Sequence, residues 1–291
     1  MSTPLLNSHN AALRVGQGDW APFQYNVLTQ ERIFAAAQDW AAQLKGIEKP
    51  WLCWNMSPAW CLIQQKLVKH VGWTPIVGMD PKYETSQLVE GAIQVDFNAQ
   101  LKLPQMYCVF PVEFAWLFTP RLAFWHSDLI CRFDFMEDCA RLFEKLPDGE
   151  MAAVWDYGGL RQLLNRKSHR YYELAGCMTR GASLDNYNKG CGWWRNSDQH
   201  PNVASQAERD ERKKLFYDNG FGIMYWKRHH GGRVRDLSLR RAAEGHCSEI
   251  GNKNYQNLPG HLNANRNTGK EMELNYDIEE VCRRLGIQSL L

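Results

Sequence analysis

The chain has 291 residues, enough to bury the core of one large α/β domain or two small ones. Its composition is ordinary for a globular protein, with 44% hydrophobic and 23% charged residues. The formal net charge of +2 leaves no electrostatic footprint for nucleic acid or an anionic membrane surface. Nine cysteines, an odd number with no C-x-x-C pair, argue against a zinc ribbon or a secreted disulfide framework and for free thiols in a reducing compartment. The N-terminus lacks the basic and apolar regions of a signal peptide, and no apolar run approaches the roughly 20 residues of a membrane span. A cytoplasmic location is expected. Twelve tryptophans offer large flat faces, which suit cores and also stacking on sugars or bases.

Residues 1–28 have no clear periodicity, and Gly16, Gly18 and Pro22 suggest an irregular arm. From Thr29 as N-cap, Ile33, Ala36, Ala37, Trp40 and Leu44 make a helical apolar stripe. Trp51 to Met56 reads as a strand, and Ser57-Pro58 opens a helix that runs to His70. Trp73 to Met79, Ala92 to Phe97 and Met106 to Phe110 read as further strands. This order predicts a mainly parallel central sheet flanked by helices. Both G-x-G-x-x-G and G-x-x-x-x-G-K-[ST] are absent, which disfavours a Rossmann dehydrogenase or a P-loop NTPase.

The stretch from Pro120 to Cys131 reads P-R-L-A-F-W-H-S-D-L-I-C. Its apolar run predicts a buried strand ending on His126-Ser127-Asp128. That places polar side chains at the carboxyl edge of a sheet, where open α/β folds bind ligands. His126 and Asp128, two apart in an extended segment, point the same way. An imidazole and a carboxylate on one face can hold a divalent cation. The plainer reading is that Asp128 caps a turn and His126 is a satisfied strand-end residue.

Farther on, Phe135, Met136, Cys139, Leu142, Phe143 and Leu146 outline a helix, and Met151 to Trp155 a strand that ends at Asp156 before Gly158-Gly159. Residues 171–202, interrupted by glycines and rich in Asn, Asp and aromatics, read as an irregular loop. Trp193, Trp194 and Arg195 there suit either a sugar-binding pocket wall or, for the indoles, a plug in the core. Glu173 and Asp185 are further acidic candidates. A solvated helix is expected over 204–217, a short strand over Gly222 to Lys227, and a Gly/Asn/Arg-rich loop over 231–267. A final helix starts from Asn275 and stops at Gly286.

An apolar strand, a polar triplet ending in Asp and two more apolar residues: this pattern resembles the Asp-x-Asp region of GT-A-fold glycosyltransferases. Here His126 stands where that motif has its first Asp. The resemblance implies a single GT-A-like α/β domain over 29–291, with a nucleotide-binding half (29–135), an acceptor half (136–291) and an irregular C-terminal region. It implies a nucleotide-sugar donor and a carbohydrate or other hydroxyl acceptor. Mn²⁺ or Mg²⁺ would sit on the donor diphosphate, held by His126, Asp128 and a C-terminal histidine, His246 or its rivals His229 and His230. Asn55, Asp80 and Ser127 would contact the donor; Trp193, Trp194 and Arg195 would bind substrate; Asp156 or Glu173 would serve catalysis. Two other readings stay open. One is a metal-dependent hydrolase or nuclease using His229, His230, His246 and His261, and the other is a non-catalytic carbohydrate- or nucleotide-binding protein.

Overall fold

A computed structural model of the chain describes residues 12–14, 27–79, 85–102, 106, 108–155, 170–193, 200, 202–203, 205–215, 219–246 and 278–291. Within the expected arm, Ala12–Arg14 (β1) pairs antiparallel with Val27–Thr29 (β2), which leads into helix Gln30–Gln43 (α1). The expected strand–helix–strand unit follows: Pro50–Asn55 (β3), Pro58–His70 (α2) and Thr74–Met79 (β4). Pro58 sits in the first turn of α2, where its missing N–H costs nothing. Then come Ile93–Val95 (β5), the short helices Val109–Glu113 (α3) and Ala115–Phe118 (α4), Arg121–Trp125 (β6), Phe133–Glu144 (α5) and Glu150–Trp155 (β7). The rest of the described chain forms Tyr171–Thr179 (β8), Arg180–Asn188 (α6), Gln206–Leu215 (α7), Phe221–His229 (α8), Arg233–Ser238 (β9), Leu239–Ala243 (α9) and Ile278–Leu285 (α10).

Seven strands make one sheet in the order β5-β4-β3-β6-β8-β7-β9. Pairings among β5, β4, β3 and β6 are parallel, as is β7 with β9, whereas β8 runs against both β6 and β7. The sheet is therefore mixed, which corrects the expectation of a mainly parallel one.

Burial explains why these strands read as unbroken apolar runs. Every residue of β3 is buried, with Leu52 and Trp54 in one core cluster and Trp51 and Cys53 in the other. Side chains alternate across a strand, so a sheet covered on both faces needs apolar residues at every position. One face is covered by residues of α1, α3, α4, α6 and α8, the other by α2, α5, α9 and α10. Trp51 lies at the heart of the second cluster, its ring 5.4 Å from those of Trp73 and Trp125 and 5.2 Å from Phe143. Truncating such a side chain typically costs about 3–5 kcal/mol. Among the described tryptophans only Trp155 is not buried, so the tryptophan richness is mostly core.

Several expected elements are different. Met106 to Phe110 is not a strand: its end belongs to α3, with Pro111 tolerated in the first turn. Gly222 to Lys227 lies within helix α8, entered through Gly220 at φ +81. Both were short apolar runs, and such runs fit a buried helix as well as a strand. Residues 171–202 are not one loop but contain β8 and α6. Gly176, which looked like a breaker, sits inside β8 where a Cβ would lie 2.6 Å from the Ala152 carbonyl oxygen and 2.7 Å from the Phe124 ring. It marks close approach rather than a turn. The 231–267 stretch begins with β9 and α9; its part after 246 lies outside the described residues. As an edge strand, β9 exposes three of its charged side chains, Arg233, Arg235 and Asp236, which hid it from an apolar pattern search. Among the described residues no helix is long and apolar enough to cross a membrane.

Candidate metal centre

The chain runs β3, β4, β5 outward in one direction and then returns to place β6 on the other side of β3. Between β3 and β6 the strand order therefore reverses, the place where open α/β sheets leave a crevice for ligands. His126-Ser127-Asp128 follows directly on the carboxyl end of β6.

Backbone and side-chain contacts fix this triplet. The His126 N–H donates to Leu174 O of β8 at 3.0 Å, and the Leu129 N–H donates back to His126 O at 3.2 Å. From α2, the Gln64 amide donates to the carbonyls of both His126 and Leu129, each at 2.7 Å. Ser127 Oγ lies 2.9 Å from Met56 Sδ, just past the end of β3. His246 arrives from more than a hundred residues away by a backbone clasp. Ile130 N–H donates to Gly245 O at 3.2 Å, and Leu129 and His246 form an antiparallel bridge. A Cβ at Gly245 would lie 1.7 Å from Ile130 O, so only glycine permits this approach.

The result is a convergence on one oxygen. His126 Nδ1 is 3.1 Å from Asp128 Oδ1, and His246 Nε2 is 3.2 Å from the same atom. The side chains of Asp128 and His246 are each 3% exposed, that of His126 27%. One donor atom from each of the three lies within 4.8 Å of the others. Glu173 of β8 approaches from the other side of the ring, its Oε1 3.5 Å from His126 Nε2. Asn219 Nδ2 donates to Glu173 Oε1 at 3.2 Å, and Arg170 Nη1 lies 3.5 Å from Oε2.

Burial alone would raise the carboxyl pKa of Asp128, but the two imidazoles outweigh it and hold the group well below the usual carboxylate range. Burial likewise pulls His126 down, yet the charges and hydrogen bonds of Asp128 and Glu173 win and raise it well above its ordinary value. Glu173 is lowered: burial opposes its charge, while the hydrogen bond to His126 and the Arg170 charge favour it. Cys108 stands near this cluster, and burial pushes its thiol up to about 11, which disfavours the thiolate. The arrangement stabilises positive charge among buried carboxylates. Two imidazoles and a carboxylate converging in this way can hold a divalent metal ion.

The other residues named from the sequence are distributed as follows. Asn55 is fully buried at the carboxyl end of β3. Trp193 is also fully buried, edge-on to Phe124 with centroids 5.1 Å apart, and its backbone N–H donates to Glu113 Oε2 at 2.8 Å. With no exposed indole face it offers nothing for a sugar to stack on; it is the core plug. Asp185 accepts from Trp226 Nε1 at 2.6 Å. His229 stacks on Tyr225 at 4.1 Å, and neither it nor His230 joins a metal-capable group among the described residues. Asp80, Asp156, Trp194, Arg195 and His261 lie outside the described residues.

Gln64, Arg170 and Asn219 were not named from the sequence. Gln64 had a signal, since a polar residue sits on the inward face of α2 between buried Cys61, Leu67 and Val68. Partly exposed Trp155, at the carboxyl end of β7 with its ring 4.6 Å from Tyr171, is an aromatic surface at the same sheet edge. No protein-family model matches the chain, and none of the curated proteins or solved structures matches it either.

Proposed function

We propose that the chain is a metal-dependent glycosyltransferase of the GT-A kind, moving a sugar from a nucleotide-sugar donor to a hydroxyl acceptor. The observation that carries this reading is the convergence of His126, Asp128 and His246 at the strand-order reversal beside β3 and β6. Those residues would hold Mn²⁺ or Mg²⁺, the imidazoles favouring Mn²⁺. When bound, the cation supplies charge neutralisation at the donor diphosphate, which makes it a better leaving group. Asn55, at the carboxyl end of the neighbouring strand, lies beside the same strand-order reversal and is the residue we assign to the nucleoside. Transfer forms a bond between the acceptor oxygen and the anomeric carbon, breaks the bond from that carbon to the diphosphate, and sends the acceptor proton to a base. Asp156, which directly follows the carboxyl end of β7 in the sequence, is the residue we assign to that base. Every described cysteine is free, which supports a reducing, cytoplasmic setting.

A second reading follows from the donor set itself. Two histidines and one carboxylate also serve non-haem Fe(II) oxygenases, so Fe²⁺ belongs in any metal screen. What favours the transferase is the position of the site on an α/β sheet edge. The test is thermal unfolding with nucleoside diphosphates and nucleotide sugars, with and without Mn²⁺, on wild type and Asp128→Ala. A donor at about 100 times its Kd should add roughly 2.7 kcal/mol of stability, dependent on Mn²⁺ and lost in the variant. No stabilisation by any nucleotide, or oxygen consumption that needs Fe²⁺, overturns the reading. Donor binding without release of nucleoside diphosphate would leave a binding protein in its place.

A further inference from the structure

Glu173 was expected to serve catalysis, but its surroundings give it a different task. An imidazole offers a metal one bare nitrogen, and the other nitrogen must then carry the proton. His126 has its two nitrogens in different company. Nδ1 faces Asp128 Oδ1, the oxygen that His246 Nε2 also approaches, whereas Nε2 faces Glu173 Oε1. Glu173 lies outside the group of donors that come within 4.8 Å of one another.

Glu173 is also held where it is. Arg170 lies beside Oε2 and Asn219 donates to Oε1. The clamp is itself cross-linked, because Arg170 Nη1 donates to the Asn219 carbonyl at 2.6 Å. The Arg170 guanidinium is packed 4.2 Å from the centroid of the Tyr172 ring, which restrains it further. A carboxylate engaged at both oxygens is poorly placed to swing into the cation site or to collect a proton from an acceptor. It is well placed to accept one from a ring N–H.

We infer that Glu173 is a positioning residue, which keeps the proton of His126 on Nε2 so that Nδ1 is presented bare to the cation beside Asp128. The inference rests on the metal reading above and adds the partner that makes His126 a ligand. Carboxylates in this relation to a ligating histidine raise its basicity and fix its ring, and their removal typically costs about 10–100-fold in metal affinity.

The test uses the full chain with metal alone as the probe. Mn²⁺ and Zn²⁺ affinities are measured by competition with a chromophoric chelator for wild type, Glu173→Gln, Glu173→Ala and Asp128→Ala. Glu173→Gln keeps an acceptor without the charge and should bind about 10-fold more weakly; Glu173→Ala should approach 100-fold. Histidine ¹⁵N spectra of the Zn²⁺-loaded wild type should show His126 bound through Nδ1 with its proton on Nε2. Unfolding curves in chelator confirm that each variant is folded, and the near-isosteric Gln variant carries the test if Ala does not fold. Unchanged metal affinity in the folded Glu173 variants, or a metal on Nε2 of His126, overturns this inference and leaves the metal site standing. A wild type that binds neither metal overturns both.

Discussion

Two of the buried polar clusters among the described residues are built on opposite principles. The first is centred on Arg212 of α7, which is fully buried. Its guanidinium donates to the carbonyls of Lys189 and Gly190 just past the end of α6, pairs with Glu208 one turn earlier and lies 4.5 Å from the Tyr225 ring centroid. Fixed protein acceptors meet the charge on several sides, so it braces helices and has little left to offer a ligand. The second cluster, His126–Asp128–His246, sends two imidazoles toward a single carboxylate oxygen at a sheet edge. Burial alone does not separate structural from functional charge; the direction in which the polar atoms are spent does.

The sharpest way to separate the two is to break the first. Arg212→Met should destabilise the protein by about 3–5 kcal/mol, because Glu208 and two backbone carbonyls lose their partner. Metal affinity of the folded fraction should be unchanged. Urea unfolding monitored by tryptophan fluorescence, followed by a metal titration, checks both halves; a metal affinity that falls with the brace would show the clusters to be coupled.

A smaller effect should appear in acid. His200 sits against Tyr187, with centroids 5.1 Å apart, and its Nδ1 accepts the Asn202 N–H at 3.1 Å. Burial, helped by the charges of Arg212 and Arg209, brings its pKa down to about 3. Unfolding returns it to about 6.5, so between these values the unfolded chain binds a proton that the folded chain does not. Stability is thus full above about pH 6.5 and is lost as pH falls toward 3. At pH 5 this group alone should remove about 2 kcal/mol relative to pH 7. Urea midpoints at the two pH values should converge by that amount in His200→Asn; an unaltered gap would assign the acid sensitivity elsewhere.

The smallest expected change in binding tests the second cluster through its backbone. Gly245→Ala adds one methyl group that would meet Ile130 O, so the segment bearing His246 must shift. A loss of about 10-fold in Mn²⁺ affinity, or 1.4 kcal/mol, together with a lowered melting temperature as the clasp opens, is the expected outcome. Wild-type affinity would mean that His246 is not a ligand.

The same contrast explains what could be read from the sequence. His126 and Asp128 were legible because one strand end carries both, and period two alone puts them on one side. His246 could be named only through the resemblance to a family. Nothing local to Gly245-His246 announces a backbone clasp onto Leu129 and Ile130, which is a tertiary pairing of two isolated residues. Glu173 was visible as an acid but not as a partner of His126, because β8 was hidden behind Gly176. Strands β3, β4, β6 and β7 were found because burial on both faces leaves them apolar apart from a polar residue at one end. Helix α8 was misread for the same reason: Phe221 to Trp226 is buried all round, and an element buried on every side loses its period. Arg212, in a helix that looked merely solvated, carried no sequence signal, since its carbonyl partners belong to a turn after α6.

The late arrival of His246 has a consequence for biosynthesis. Chains grow from the N-terminus, so His126 and Asp128 leave the ribosome well before the segment that clasps Ile130 exists. Until then the emerging polypeptide has only two of the three donors that could hold a metal ion. A cation held by all three donors therefore could not be the template on which strands β3 to β6 assemble; it would be captured only after the segment bearing His246 has been made. Products terminated before Gly245 would lack the third donor, which ties the competence of the candidate site to the synthesis of that one segment.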